Sequence, residues 1–207
     1  MAARVVRADT DVVEQEARFL PDGRADWRAW LEAHHAETSG VWLVSWKVRT
    51  GRPTVSYEEA VEEALCFGWI DGKAQRVDDE RTMIRFSPRR PGSAWARSNR
   101  DRVERLEAAG SMTDAGRRVV EAARADGSWT LLEAVEGMVV PDDLALALAG
   151  RPGAREHFDA YSPSARKGVL SWITLARRPA TRASRIARAA EAAERGDRPA
   201  TLWQRGD

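Results

Sequence analysis

The chain has 207 residues with 33 basic and 32 acidic side chains, a formal net charge of +1, and that balance argues against a whole-molecule electrostatic role on nucleic acid or membrane. A length of this order buries roughly 70% of the unfolded surface, so folding requires neither metal nor disulfide, and the single cysteine, Cys66, excludes an intrachain disulfide framework. Arg4, Arg7 and Asp9 interrupt the stretch where a signal peptide needs an apolar run, and no segment approaches the roughly 20 apolar residues of a spanning helix, so a cytoplasmic protein without membrane insertion is expected.

Residues 1–20 are charged and weakly periodic and read as an N-terminal arm or edge element. After a turn at Pro21-Asp22-Gly23, Trp27, Trp30, Leu31 and His34 fall at helical spacing and predict a helix over 24–36. Val41–Val48 alternates with apolar residues on both faces at its start, the pattern of a largely buried strand. Ser56 and Glu59 form a capping box at the start of a helix. Tyr57, Ala60, Val61, Ala64 and Leu65 are its buried stripe, and Glu58, Glu59, Glu62 and Glu63 are its wet side. Gly68 suits the left-handed residue that stops a helix. Lys73–Val77 and Thr82–Ser87 then read as a hairpin across Asp78-Asp79-Glu80.

Pro88–Gly92 is a basic loop, and Ser93 is the expected N-cap of a helix from Ala94 to about Ala109. Trp95, Asn99, Arg102, Val103 and Leu106 share one side of that helix. Thr113 caps the next helix, to about Ala125, and Trp129–Glu136 is a short helical segment. Beyond Pro141 the pattern is helical throughout: Asp142–Ala149, Ala154–Tyr161, Pro163–Arg177 behind a Ser162 cap, and Pro179 to about Arg195. The expected divisions are an arm at 1–20, an α+β domain at 21–140, a helical module at 141–196 and a loose tail at 197–207. The fold class is α+β, mostly helical, with helices packed on a small antiparallel sheet of three or four strands and an all-helical C-terminal module.

Three stretches, ALCFGWIDG (Ala64–Gly72), SPRRPGSAWARSN (Ser87–Asn99) and LARRPATRASRI (Leu175–Ile186), together resemble the YdeI/OmpD-associated family, also called bacteriocin-protection proteins. The resemblance runs over roughly residues 20–196, with Trp30–Leu43 and Pro141–Leu144 adding to it. Ala96 departs from the Ser that related chains often carry. The resemblance implies a bacterial cytosolic protein with an α+β N-terminal part and a helical C-terminal module. It implies a role in stress or antimicrobial-peptide tolerance, and no established reaction, cofactor or catalytic residue.

The residues themselves point to one candidate binding site. Arg89 and Arg90 stand before the predicted helix N-terminus, whose free N–H groups favour anions, and Arg85 adds a charge from the preceding strand. With Trp69, Asp71, Lys73, Ser93, Trp95 and Asn99 they outline an anion-accepting cleft between hairpin and loop, suited to a phosphorylated or carboxylated small molecule. The plain alternative is a solvated basic turn. Asp71, flanked by Ile70 and Gly72, is the weak catalytic candidate, or else a carboxylate that holds a turn. An enzyme using Asp71 with Arg89 or Arg90 is therefore the second reading.

Cys66, in an apolar run, reads as an inert buried thiol. His34 reads as a core histidine and His35 as exposed. Adjacent histidines cannot share one metal from a helix, so neither metal nor cofactor is expected. A small anionic ligand or a protein partner is the expected partner, with oligomeric state open. Residues 141–207 hold 12 basic and 8 acidic residues, a net of +4. Within them Arg182, Arg185 and Arg188, preceded by Arg177 and Arg178, form a ridge on the last helix. Three readings compete for it: a nucleic-acid contact, a docking surface for the glutamates of Ser56–Cys66, and a solvated face. Nucleic acid is the least favoured partner, because no aromatic residue interleaves with the arginines and Glu191 and Glu194 follow them.

Overall fold

Pro21-Asp22-Gly23 turns the chain from a two-residue strand, β1 (Arg18–Phe19), into helix α1 (Arg24–His34). This is a computed structural model describing residues 17–197 and Pro199; most of the expected arm and nearly all of the expected tail lie outside those residues. Strand β2 (Val41–Trp46), helix α2 (Tyr57–Cys66), the hairpin β3 (Trp69–Arg76) and β4 (Arg81–Pro88), and helices α3 (Arg97–Ala108) and α4 (Asp114–Ala125) follow. Five more α-helices follow among the described residues: α5 (Glu133–Glu136), α6 (Asp142–Ala149), α7 (Ala154–Asp159), α8 (Pro163–Thr174) and α9 (Pro179–Glu194). The described residues up to Ser93, with Ser98–Asp126, make one compact unit; Ala94–Arg97 and the described residues from Gly127 onward make a second.

In the first unit the strands run in the order β1-β2-β4-β3. The β2–β4 and β3–β4 pairs are antiparallel, as expected for a hairpin sheet, while the short β1 adds to β2 in parallel. The capping box forms in both directions: the Ser56 N–H donates to Glu59 Oε2 at 2.9 Å and the Glu59 N–H to Ser56 Oγ at 3.3 Å. Gly68 stops α2 with φ +75°, and a Cβ there would come within 2.6 Å of Val119 Cγ2 on α4. Gly116 permits an equally close approach from the other side, since a Cβ on it would fall 2.3 Å from the Cys66 carbonyl oxygen. Trp27, Leu31, Val41, Leu65, Trp69 and Phe86 form the core, each less than 2% exposed. The two buried indoles are satisfied, Trp27 donating to the Ala60 carbonyl at 3.0 Å and Trp69 to that of His35 at 3.2 Å.

The second unit packs α6–α9 around Leu144, Leu148, Phe158, Val169, Leu170 and Ile173, with Ala189, Ala190 and Ala193 letting α9 lie close. Ser162 caps α8 by accepting from the Ala165 N–H at 3.3 Å, with Pro163 in the first turn. Trp95 is buried in this unit, its ring 4.9 Å from that of Trp129.

Several local expectations are corrected. Helix α3 begins at Arg97 instead of Ala94, because its first N–H is capped from 39 residues away: Arg97 N–H donates to Glu136 Oε1 at 2.6 Å. Ser93 is therefore no N-cap; its hydroxyl donates to the Arg90 carbonyl. Strand β2 ends at Trp46, and Val48, expected on a strand face, lies in a 3₁₀ turn, 93% exposed. Glu63, expected on the wet side of α2, is 3% exposed, since Arg24 Nε (2.6 Å) and Arg28 Nη1 (2.7 Å) of α1 both donate to it. The histidines are reversed: His34 is exposed and stacks on Trp30 with centroids 4.8 Å apart, whereas His35 is half-buried against Phe67.

Candidate functional site

Four elements of the first unit bring polar side chains to one face. The start of α2 supplies Tyr57 and Glu58, β3 supplies Asp71, the end of β4 leads into Arg89, and α3 supplies Asn99 and Arg102. Asp71 was expected at a turn. It lies inside β3, opposite Phe86, where a bulge between Asp71 and Ala74 interrupts the pairing with β4. That bulge loosens the ladder beside the carboxylate, and Asp71 Oδ2 accepts from the Tyr57 hydroxyl at 2.9 Å. Tyr57, assigned to the buried stripe of α2, is 52% exposed because it occupies the first helical position, where the stripe has not yet turned inward.

Two guanidiniums act on this pair. Arg102 donates to both Glu58 oxygens, at 2.9 and 2.6 Å, and to Asn99 Oδ1 at 2.9 Å. The bonds to Glu58 raise the Arg102 pKa above its ordinary value, with Tyr57 and Asp71 adding smaller attractions. Arg89 follows Pro88, and its N–H donates to the Gly68 carbonyl at 3.0 Å. Burial pulls its guanidinium down to about 10, opposed by the nearby Asp71 charge. Burial also raises the Tyr57 phenol, and the bond to Asp71 raises it further. The face thus combines a fork-shaped cation held in place, a second cation in a poorly hydrated position, and a carboxylate–phenol pair open to solvent. Arginines are chemically suited to a carboxylate or phosphate, and a carboxylate with a phenol to a hydroxyl or amine.

Of the predicted residues, Asp71, Arg89 and Asn99 gather here. Trp69 does not: at 1% exposure it is core, and its N–H is already committed to His35. Trp95 is buried in the second unit. Lys73 and Arg90 are exposed. Arg85 lies over Gly40, where a Cβ would stand 2.7 Å from a terminal guanidinium nitrogen. With the α3 start moved to Arg97, no helix N-terminus directly follows the Arg89-Arg90-Ser93 loop. Tyr57 and Arg102 were missed as site residues. Tyr57 follows an N-cap Ser, and that position alone marks a side chain in the exposed first turn.

The remaining candidates have structural roles. Cys66 is fully buried, and burial pushes its thiol up to about 11. No group of three or more His, Cys, Asp or Glu that could hold a metal ion occurs among the described residues, and no helix among them is long and apolar enough to cross a membrane. Among the glutamates of α2, Glu58 pairs with Arg102 and Arg105, and Glu62 with Arg24 and Arg105.

Residues 19–119, which contain this face, match a family described as "Domain of unknown function (DUF8412)". Two of the three resemblance-bearing stretches fall in that span and the third falls in a separate match at 137–196, so the YdeI/OmpD likeness is narrower than the 20–196 first assigned to it. No curated protein and no solved structure matches the chain. Residues 137–196, in the C-terminal part of the chain, match the family described as "Bacteriocin-protection, YdeI or OmpD-Associated".

Proposed function

We propose that the N-terminal unit binds a small anion that also carries a hydroxyl or amine, at the face formed by Tyr57, Asp71, Arg89 and Arg102. The chain works in this reading as a binding protein in tolerance of a toxic stress, the role that the description of its C-terminal module suggests. The observation that carries the reading is the 2.9 Å bond between an exposed phenol and Asp71 with two arginines acting on the same pair. Arginine forks suit carboxylate and phosphate, while Asp71 supplies the acceptor that a plain anion would not need. Inorganic phosphate alone is therefore a weak ligand, and sugar phosphates, nucleotides and hydroxy acids are the classes to try.

The test is isothermal titration and thermal shift of the full chain with these three classes, repeated with Arg89→Ala and Tyr57→Phe. One class is expected to bind, with affinity falling about tenfold in each variant, the loss of roughly 1.4 kcal/mol typical of one contact to a charged group. Absence of binding by all three classes, or affinity untouched by both substitutions, ends the proposal.

A further inference from the structure

Between Asp159 and Glu191 the chain carries seven cations, Arg166, Lys167, Arg177, Arg178, Arg182, Arg185 and Arg188, and no carboxylate. Two features weigh against nucleic acid in the linear chain, the lack of an interleaved aromatic and the glutamates that follow. Both change in three dimensions. Trp172 of α8 packs onto the arginines of α9, with the Arg185 and Arg188 guanidinium carbons 5.1 and 5.0 Å from its ring centroid. Arg185 also donates to the Trp172 carbonyl at 2.6 Å. Glu191 and Glu194 turn away to Arg151, at 3.3 and 2.6 Å. Arg182 is held by Asp143 at 2.8 Å.

We propose that the α8–α9 face centred on Trp172 contacts the phosphodiester backbone of nucleic acid through Arg177, Arg178, Arg185 and Arg188. Trp172, Arg185 and Arg188 are all partly exposed, while Arg177 and Arg178 are exposed immediately before α9. Stacking on the indole fixes two guanidinium planes before any ligand arrives, so less rotamer freedom is lost on meeting a phosphate. Arginine favours this use over lysine because its fork matches two phosphate oxygens. An anionic lipid surface offers the same phosphates, but a helix lying on a membrane needs a broad apolar face. The exposed residues of α9 are Pro179, Ala180, Ala183, Ser184 and Ala187, all small, and Leu175 beside them is half-exposed. The contact is to backbone, without base readout, so binding is independent of sequence.

The experiment is fluorescence anisotropy of a labelled 20-base-pair duplex with the full chain across a salt series, alongside vesicles of an anionic phospholipid. Four phosphate contacts predict a log–log salt slope of about −3 to −4. R185A/R188A is expected to weaken binding at least about tenfold at low salt, with an unchanged circular dichroism spectrum. R185K/R188K, which keeps the charge and loses the stacked plane, is expected to weaken it about threefold. Four results overturn the proposal: no anisotropy change at low salt, a slope shallower than about −1, equal affinity in both double variants and wild type, or tighter binding to vesicles than to duplex.

Discussion

Removing the Glu63 carboxylate tests how much the α1–α2 contact depends on a buried charge. Glu63 is 3% exposed and accepts hydrogen bonds of 2.6 and 2.7 Å from Arg24 and Arg28. A hydrogen bond to a charged group is worth about 1.5–3 kcal/mol, and breaking a fully buried ion pair costs about 3–5. Here the arginines are 40% and 33% exposed, so their freed guanidiniums rehydrate. Each also keeps a partner, Arg24 with Glu62 at 3.1 Å and Arg28 with the Ser111 carbonyl at 3.2 Å. The expected cost of Glu63→Ala is therefore about 2–3 kcal/mol at neutral pH, below the fully buried range, with Glu63→Gln costing about half as much because its amide oxygen still accepts. Urea denaturation followed by tryptophan fluorescence reads this directly, since Trp27 and Trp69 are both in the core of that unit. A loss under about 0.5 kcal/mol for the Ala variant would mean that the pair behaves like a surface ion pair, and the reasoning from its burial would fail.

A thiol-specific reagent at pH 8 is expected to leave native Cys66 unmodified and to label it stoichiometrically in urea, because burial holds the thiol near 11; rapid labelling of the native protein would contradict that burial. Bonds from Arg182 hold the Asp143 carboxyl below its usual range, so the stability from this pair is present above the unfolded value of about 4 and disappears as pH falls through the lower folded one. Wild type is accordingly expected to be more stable than Arg182→Ala at pH 7 and low salt, with the gap closing as pH falls through the lowered folded value; a gap of equal size at neutral and strongly acid pH would assign the effect to packing.

Signals that act within one turn of chain were legible. Ser56 with Glu59, Gly68 after Cys66, and Ser162 before Pro163 each need only neighbours to form, and each appears where its spacing places it. The hairpin shares this property, as Asp78 closes its turn by accepting from the Glu80 and Arg81 N–H groups at 2.9 and 2.7 Å. The failures involve partners distant in the chain. Glu136 decides where α3 starts, and Arg24 and Arg28 decide that Glu63 is inside. Helical periodicity located α1 correctly but put His34 in the core, since the stripe ends one turn before the helix does. For the candidate site, Asp71 was singled out by its flanking Ile70 and Gly72 and Arg89 by its place before an expected helix start, whereas Tyr57 and Arg102 depended on two helices converging on one strand.

The four residues Ala94–Arg97 have a consequence for how the gene could be divided. A cut anywhere in residues 120–128, between the two family matches, separates the two matched spans. It would nevertheless strand Trp95 on the wrong fragment, leaving Trp129 without the ring it packs against and Glu136 without the N–H it accepts. The C-terminal module is thus completed by a short loan from the middle of its neighbour's sequence. Swapping either module for another would require exchanging that four-residue splice as well.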